Sequence, residues 1–171
     1  GYVCVHVLYA GNFGLSAGRP YTHNIWLIPG ATAIFGSIII GIDLVVGLPE
    51  DINISFPLSL AFYPSIGFLV EIVFHIIPFL IIYSLLTVIL PARFRRAALT
   101  VSLVLTALGE PLFQVHFMMK TGGVSGLWLG AIGMHILLFN LLQMMVFRRS
   151  GFFHMYLLRV SYYLVWHIVW G

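Results

Sequence analysis

Long apolar runs alternate with short polar turns along most of this 171-residue chain. Most of the runs reach roughly the 20 residues that a helix needs to cross the hydrocarbon core of a bilayer. The pattern predicts helices over Ile25 to Leu48, Ser65 to Leu90, Ala97 to Met119, Leu127 to Phe147 and Phe152 to Trp170. A further run, Tyr2 to Ala10, is too short to span alone, and we interpret it as the end of a helix that begins earlier. The expected fold is an all-α polytopic transmembrane bundle of about six spans.

One apolar stretch, from Phe56 to Leu90, is too long for a single perpendicular span. Because proline is tolerated in the first turn of a helix, we expect a short interfacial piece before Pro64 and a helix from about Ser65. No internal repeat is visible, so we expect residues 1–171 to form a single membrane domain. The chain begins with glycine and has no polar tail, and we interpret it as a segment of a longer protein.

The composition excludes an ordinary soluble domain. The chain is 61% hydrophobic and only 8% charged, and its mean hydropathy is +1.06. Its net charge of +3 comes from short basic loops, so we expect no nucleic-acid partner. Cys4 is the single cysteine, which leaves no intrachain disulfide. The expected partners are membrane lipid and a peptide or membrane-protein substrate.

The charges of the loops alternate along the chain and predict an orientation. By the positive-inside rule, the loop around Arg19, the Arg93–Arg96 loop and the Arg148–Arg149 turn face the cytoplasm. The acidic loop with Glu50 and Asp51 then faces the opposite side. We expect a multi-pass protein of the plasma membrane.

Several ionisable side chains interrupt the predicted spans. A charged side chain at that depth costs roughly 2.5–3.5 kcal/mol on insertion scales, so each such residue is a candidate for function. Counting about 1.5 Å of rise per residue places them at overlapping depths on four helices, in the half of the membrane away from the cytoplasm. The sequence therefore predicts one shared buried site formed by Glu71, His75, Glu110, His135 and His167.

The spacing of these residues suggests chemistry. Glu71 and His75 lie four residues apart and share one helix face, and Glu110 and Gln114 repeat that spacing. A carboxyl group in a water-poor site suits general acid or base chemistry near neutral pH. Glutamate with two or three histidines is also a plausible zinc set, although no cofactor is required and the spacing differs from the helical H-E-x-x-H signature. The alternative is that Glu71 and His75 form only an internally satisfied pair.

The remaining polar and small residues of the spans have simpler interpretations. We expect Arg159 to snorkel towards the cytoplasmic face. Four aromatic residues near the end of the chain are typical of an interfacial belt: Tyr162, Tyr163, Trp166 and Trp170. Three glycines, Gly126, Gly130 and Gly133, predict close helix packing.

The chain from about residue 65 to 171 resembles the CAAX-protease and bacteriocin-processing (CPBP) family of intramembrane proteases. VEIVFHI at Val70 to Ile76 is similar to the E-E-x-x-F-R-G segment of that family, with Glu71 on the second glutamate and His75 on the arginine. LVLTALGEPLF resembles the next span, which ends in F-x-x-x-H, and Glu110 stands where the histidine is expected. The closing stretch resembles the last segment, with its basic-plus-glycine turn and its H-x-x-x-N motif, and His167 falls on that histidine.

The resemblance implies a peptidase in which glutamate activates water and histidines stabilise the oxyanion. Glu71 would be the base and His167 an oxyanion-side group, while Glu110 and His75 would be substitutions within the motifs. Val70, Thr106 and Gly171 replace three further motif residues.

Two other functional classes fit the same polar residues. A membrane carrier or assembly protein would use the Glu/His cluster to bind a proton, a metal or a small ligand, since transporters use these residue types in proton relays. A haem protein would use two of the histidines as axial ligands and would show a Soret band.

Overall fold

The computed structural model describes residues 26–48, 53–121 and 124–171, and over these residues the chain is almost entirely helical, with no strand. The helices are α1 (Leu27–Val46), α2 (Ser59–Val70), α3 (Ile77–Ile89), α4 (Arg95–Thr121), α5 (Gly126–Ser150) and α6 (Phe152–Tyr163). A π-helical segment, Glu71–Ile76, joins α2 to α3, and a second one, Leu164–Trp170, extends α6. The all-α class and the five predicted helices are thereby confirmed.

Four helical stretches of the described residues are long and apolar enough to cross a membrane. They are Leu27–Val46, Ser59–Ile89, Ala92–Thr121 and Gly126–Ser150. The fifth predicted span, Phe152 to Trp170, is helical but is not among them, and it carries an arginine and two histidines. The predicted run from Tyr2 to Ala10 lies outside the described residues.

The helix around Pro64 begins earlier than the sequence predicts. It begins at Ser59 instead of about Ser65, and Pro64 lies inside it. Pro64 is the sixth residue of this helix, beyond its first turn, so the helix continues through it with one backbone hydrogen bond missing. Tyr63 favours the helical conformation here because its ring is buried against the rings of Tyr163 and His167.

The helices pack so that α6 lies against α1, α2 and α5, while α4 lies between α3 and α5. Apolar side chains fill the centre of this arrangement, among them Phe79, Phe147, Met155 and Leu158. These contacts bring the middle of α6 next to the π-helical segment of residues 71–76 and next to α4.

Small residues permit close approach at two places. A Cβ atom at Gly133 would lie 2.8 Å from Val115 Cγ2 on α4, and one at Gly36 would lie 2.8 Å from Val165 Cγ1. A Cβ atom at Gly126 or Gly130 would meet nothing within 4 Å. The predicted close packing of glycines is therefore confirmed at Gly133 and wrong at Gly126 and Gly130, which do not contact a neighbouring helix closely.

Candidate functional site

The first part of the site is a glutamate–histidine pair on the π-helical segment of residues 71–76. Glu71 and His75 are both fully buried, and His75 Nδ1 lies 3.1 Å from Glu71 Oε2. The other ring nitrogen of His75, Nε2, has no hydrogen-bond partner among the described residues. The wider π-helical turn, which recurs at functional sites, faces both side chains into the bundle.

Arg159 on α6 lies between the two glutamates of the predicted site. Its Nε donates to Glu71 Oε1 at 2.6 Å. Its two terminal nitrogens bind Glu110 in a bidentate manner, with Nη1 to Oε1 at 2.9 Å and Nη2 to Oε2 at 2.8 Å. The side chain of Arg159 is only 2% exposed, so this double ion pair is closed off from solvent.

Amide and hydroxyl groups complete the cluster. Gln143 on α5 donates from Nε2 to Glu71 Oε1, and its Oε1 accepts from Arg159 Nη2 at 2.8 Å. Tyr163 OH accepts from Arg159 Nη1 at 3.3 Å, and Gln114 Nε2 donates to Glu110 Oε1 at 2.9 Å. Every N–H of the guanidinium therefore has an acceptor, as a buried charge requires.

Two acidic groups and two basic groups meet in the cluster. Arg159 binds Glu71 and Glu110, and His75 lies close enough to Glu71 to form a further ion pair when its ring is protonated. A buried ion pair whose polar atoms are all hydrogen-bonded is tolerated, whereas removal of one partner costs several kcal/mol. The cluster thus fixes α4, α5 and α6 against the π-helical segment.

A cavity of about 620 Å³ lies beside this cluster, between α1, α4, α5 and the last helix. It extends along α4 from Thr121 to Glu110, and Glu110, Asn140 and Arg159 form its polar end. Its walls are largely apolar and aromatic. A cavity of this size with a few convergent polar groups is the usual form of a ligand-binding or active site.

His135 lies on the wall of the cavity. Its Nε2 is 3.1 Å from the hydroxyl of Tyr162, which also lines the cavity, and its ring contacts Phe35 at a centroid distance of 5.4 Å. His135 is only 5% exposed. The pair of His135 and Tyr162 places a hydrogen-bond donor on the cavity wall away from the ion pairs.

His167 lines the cavity too, but it is bound elsewhere. Its Nδ1 lies 2.8 Å from Asn53 Oδ1, and its ring stacks on Tyr63 at 4.4 Å with an interplanar angle of 8°. Asn53 precedes α2, so this contact joins the chain before α2 to the last helix.

Of the five residues predicted to share one site, the structure brings Glu71, His75 and Glu110 together around Arg159. Glu110, His135 and His167 line the cavity, whereas Glu71 and His75 lie behind Arg159 and do not. His135 and His167 have partners other than the carboxylates. The five residues therefore divide into a buried pair and three groups that face the cavity.

Sequence reasoning missed the centre of the cluster. The expectation that Arg159 snorkels to an interface is wrong, because two buried carboxylates bind its guanidinium instead. Tyr162 and Trp166 are also no interfacial belt, since they are 8% and 5% exposed and line the cavity. A signal was present: Arg159 is the single arginine within a predicted span, and two intramembrane glutamates need a cation.

The glutamates and histidines of the predicted zinc set do not form a metal site among the described residues. Within residues 26–48, 53–121 and 124–171, no group of three or more His, Cys, Asp or Glu side chains could hold a metal ion. Arg159 binds three of the four carboxylate oxygens that the predicted zinc set would have used, and the fourth, Glu71 Oε2, faces His75.

Comparisons with known proteins add no relative. No protein-family model, no curated protein and no solved structure matches this chain.

Proposed function

We propose that this chain is a multi-pass protein of the plasma membrane and a CPBP-like intramembrane peptidase, with Glu110 as the carboxylate that activates water. The helix from Phe152 to Trp170 would be a further crossing beside the four long apolar helices, and the chain before residue 26 would contribute to a sixth. The observation that carries the proposal is the position of Glu110, whose carboxylate lines the cavity while Arg159 holds both of its oxygens.

A contact among the three motif-like segments supports the proposal. Arg159, in the closing stretch, binds both Glu71 and Glu110, which come from the other two segments.

In the proposed mechanism, Glu110 accepts a proton from a water molecule in the cavity, and the resulting hydroxide attacks the carbonyl carbon of a peptide bond. The N–H or O–H donor of the His135–Tyr162 pair stabilises the oxyanion that forms. The proton held by Glu110 then passes to the leaving amine as the carbon–nitrogen bond breaks. Arg159 orients Glu110, and Glu71 with Gln143 orients Arg159, so Glu71 is a positioning residue.

The test is peptide cleavage by purified protein in lipid nanodiscs, with fluorogenic peptides that have apolar flanking residues. Glu110→Gln should lower the rate by about 10²–10⁴, the contribution of a positioned acid–base group. Asp43→Asn is the matched control, because its carboxylate binds Trp170 Nε1 and does not line the cavity. Folded Glu110→Gln protein that cleaves at the wild-type rate would refute the assignment. A chelator arm tests the zinc alternative, which predicts loss of cleavage that added zinc restores.

A second function, a non-enzymatic carrier or assembly protein, is favoured by the hydrogen bonds of the cluster. Arg159 and Glu110 are held in place by their two mutual hydrogen bonds. A rigid polar end of the cavity of this kind suits ligand binding without catalysis. Saturable binding of a ligand without cleavage of any peptide would select this function.

A further inference from the structure

The hydrogen-bonding capacity at the polar end of the cavity favours an occupant that donates, such as an ammonium group. Among the described lining residues, Glu110 and Arg159 are the two with a full charge, and Arg159 is shared with Glu71 behind it. Glu110 Oε1 accepts from Arg159 and Gln114, while Oε2 accepts from Arg159 Nη2 as its one donor among the described residues. A carboxylate has about four acceptor sites, so Glu110 retains capacity for a further donor.

Aromatic rings supply the walls. Six of them line the cavity: Phe113, Phe117, Phe139, Tyr162, Tyr163 and Trp166. The guanidinium of Arg159 already lies 5.7 Å from the ring centroid of Phe139 and 5.6 Å from that of Tyr163. Aromatic faces attract cations, and the attraction is stronger in a site from which water is excluded.

We infer that the cavity takes an occupant with an apolar body and one positive charge, such as an ammonium group. The positive charge lies near Glu110, and the apolar body lies against the rings of α4 and the last helix. An anion of the same shape finds no free N–H on Arg159, because each already has an acceptor in the cluster. The inference rests on the proposed function only in placing the substrate in this cavity, and it assigns that substrate a cationic, apolar character.

The test uses two ions that cannot be hydrolysed and that differ in the sign of their charge. Tetraphenylphosphonium and tetraphenylborate carry the same four phenyl groups, so their comparison separates charge from apolar area. Equilibrium dialysis against protein in nanodiscs, with empty nanodiscs subtracted for membrane partition, gives the affinity of each ion. We expect saturable binding of the phosphonium and at least tenfold weaker binding of the borate.

Three variants localise the site. Glu110→Gln should weaken phosphonium binding at least tenfold, and Asp43→Asn should leave it unchanged. Phe117→Ala removes a ring of the cavity wall and should weaken phosphonium binding severalfold. Because this ring is 60% exposed and lies outside the ion-pair cluster, the variant should fold even if Glu110→Gln does not. Equal or tighter binding of the borate, or unchanged affinity in folded Phe117→Ala and Glu110→Gln, would overturn the inference. Phosphonium binding without any peptide cleavage would support the inference while the peptidase proposal fails.

Discussion

Arg159 and Glu110 lie 49 residues apart in the chain and form a two-pronged ion pair with N–O distances of 2.9 and 2.8 Å. This pair joins α6 to α4, and the third N–H direction of the same guanidinium reaches Glu71. A single arginine therefore fixes the relative positions of three helical segments around the end of the cavity. Its removal should affect the fold and the site together.

Arg159→Met should destabilise the protein strongly, because it leaves two buried carboxylates without a cation. Breaking a buried ion pair by removing one partner costs about 3–5 kcal/mol. Thermal unfolding of purified protein, followed by tryptophan fluorescence or by loss of monodisperse protein, should show a clearly lower midpoint than wild type.

The control for this prediction is the neutral triple variant Arg159→Met, Glu71→Gln, Glu110→Gln. Replacing all three charges removes the uncompensated carboxylates, so it should recover part of the lost stability. An unfolding midpoint of Arg159→Met equal to that of wild type would show that the ion pairs are not formed in the folded protein.

The helices could be predicted from the sequence for two reasons. Each apolar run is about as long as a bilayer crossing, and charged residues, glycine or proline mark its ends. Gly151, for example, marks the end of α5 and has a φ of 82°, a backbone conformation that favours glycine. Pro64 misled the prediction because the helix continues through it, and the buried ring of Tyr63 beside it makes tertiary contacts that the local sequence does not show.

The site was predicted only in part, because depth and helix face can be read from a sequence but pairing between helices cannot. The four-residue spacing puts Glu71 and His75 on one helix face, and estimated depth alone adds Glu110 to them. The depth of Arg159 in its helix favours an interfacial position, but depth does not show which residues of other helices it faces. Gln143 and Asn140 carry no charge, so they gave no signal until the structure placed them beside Arg159.

Gln143 bridges the two charged partners, and its replacement should show this. Gln143→Met keeps the volume but removes a donor to Glu71 and an acceptor for Arg159, so we expect a loss of about 1–3 kcal/mol. Gln143→Glu adds a third carboxylate to the cluster and should be worse. Unfolding midpoints should rank as wild type, then Gln143→Met, then Gln143→Glu. A higher unfolding midpoint for Gln143→Glu than for Gln143→Met would contradict this prediction, because it would show that an added carboxylate stabilises the cluster.

The contact between His167 and Asn53 should have a measurable coupling energy. His167→Phe keeps a flat ring to stack on Tyr63 but loses the hydrogen bond to Asn53. A double-mutant cycle with Asn53→Ala should give a coupling of about 0.5–1.5 kcal/mol in the free energy of unfolding. His167→Ala, which also removes the stacked ring, should be less stable than His167→Phe. Purely additive effects in the cycle would show that His167 and Asn53 are not bonded in the folded protein.

Gly133 and Gly130 lie three residues apart on α5 and offer a matched pair for the packing of α4 against α5. A Cβ atom at Gly133 would lie 2.8 Å from Val115 Cγ2, whereas one at Gly130 would meet nothing within 4 Å. Gly133→Ala should therefore cost about 1–3 kcal/mol by overpacking, while Gly130→Ala should leave stability unchanged or slightly raised, since alanine is the better helix former.

Adding Val115→Ala to Gly133→Ala removes the methyl group that the new Cβ would meet, so the double variant should recover stability relative to the single one. Thermal unfolding of the four proteins under one condition makes the comparison. If Gly130→Ala were the more damaging substitution, α5 would have to face α4 with a different side from the one described, and His135 would then not lie on the wall of the cavity.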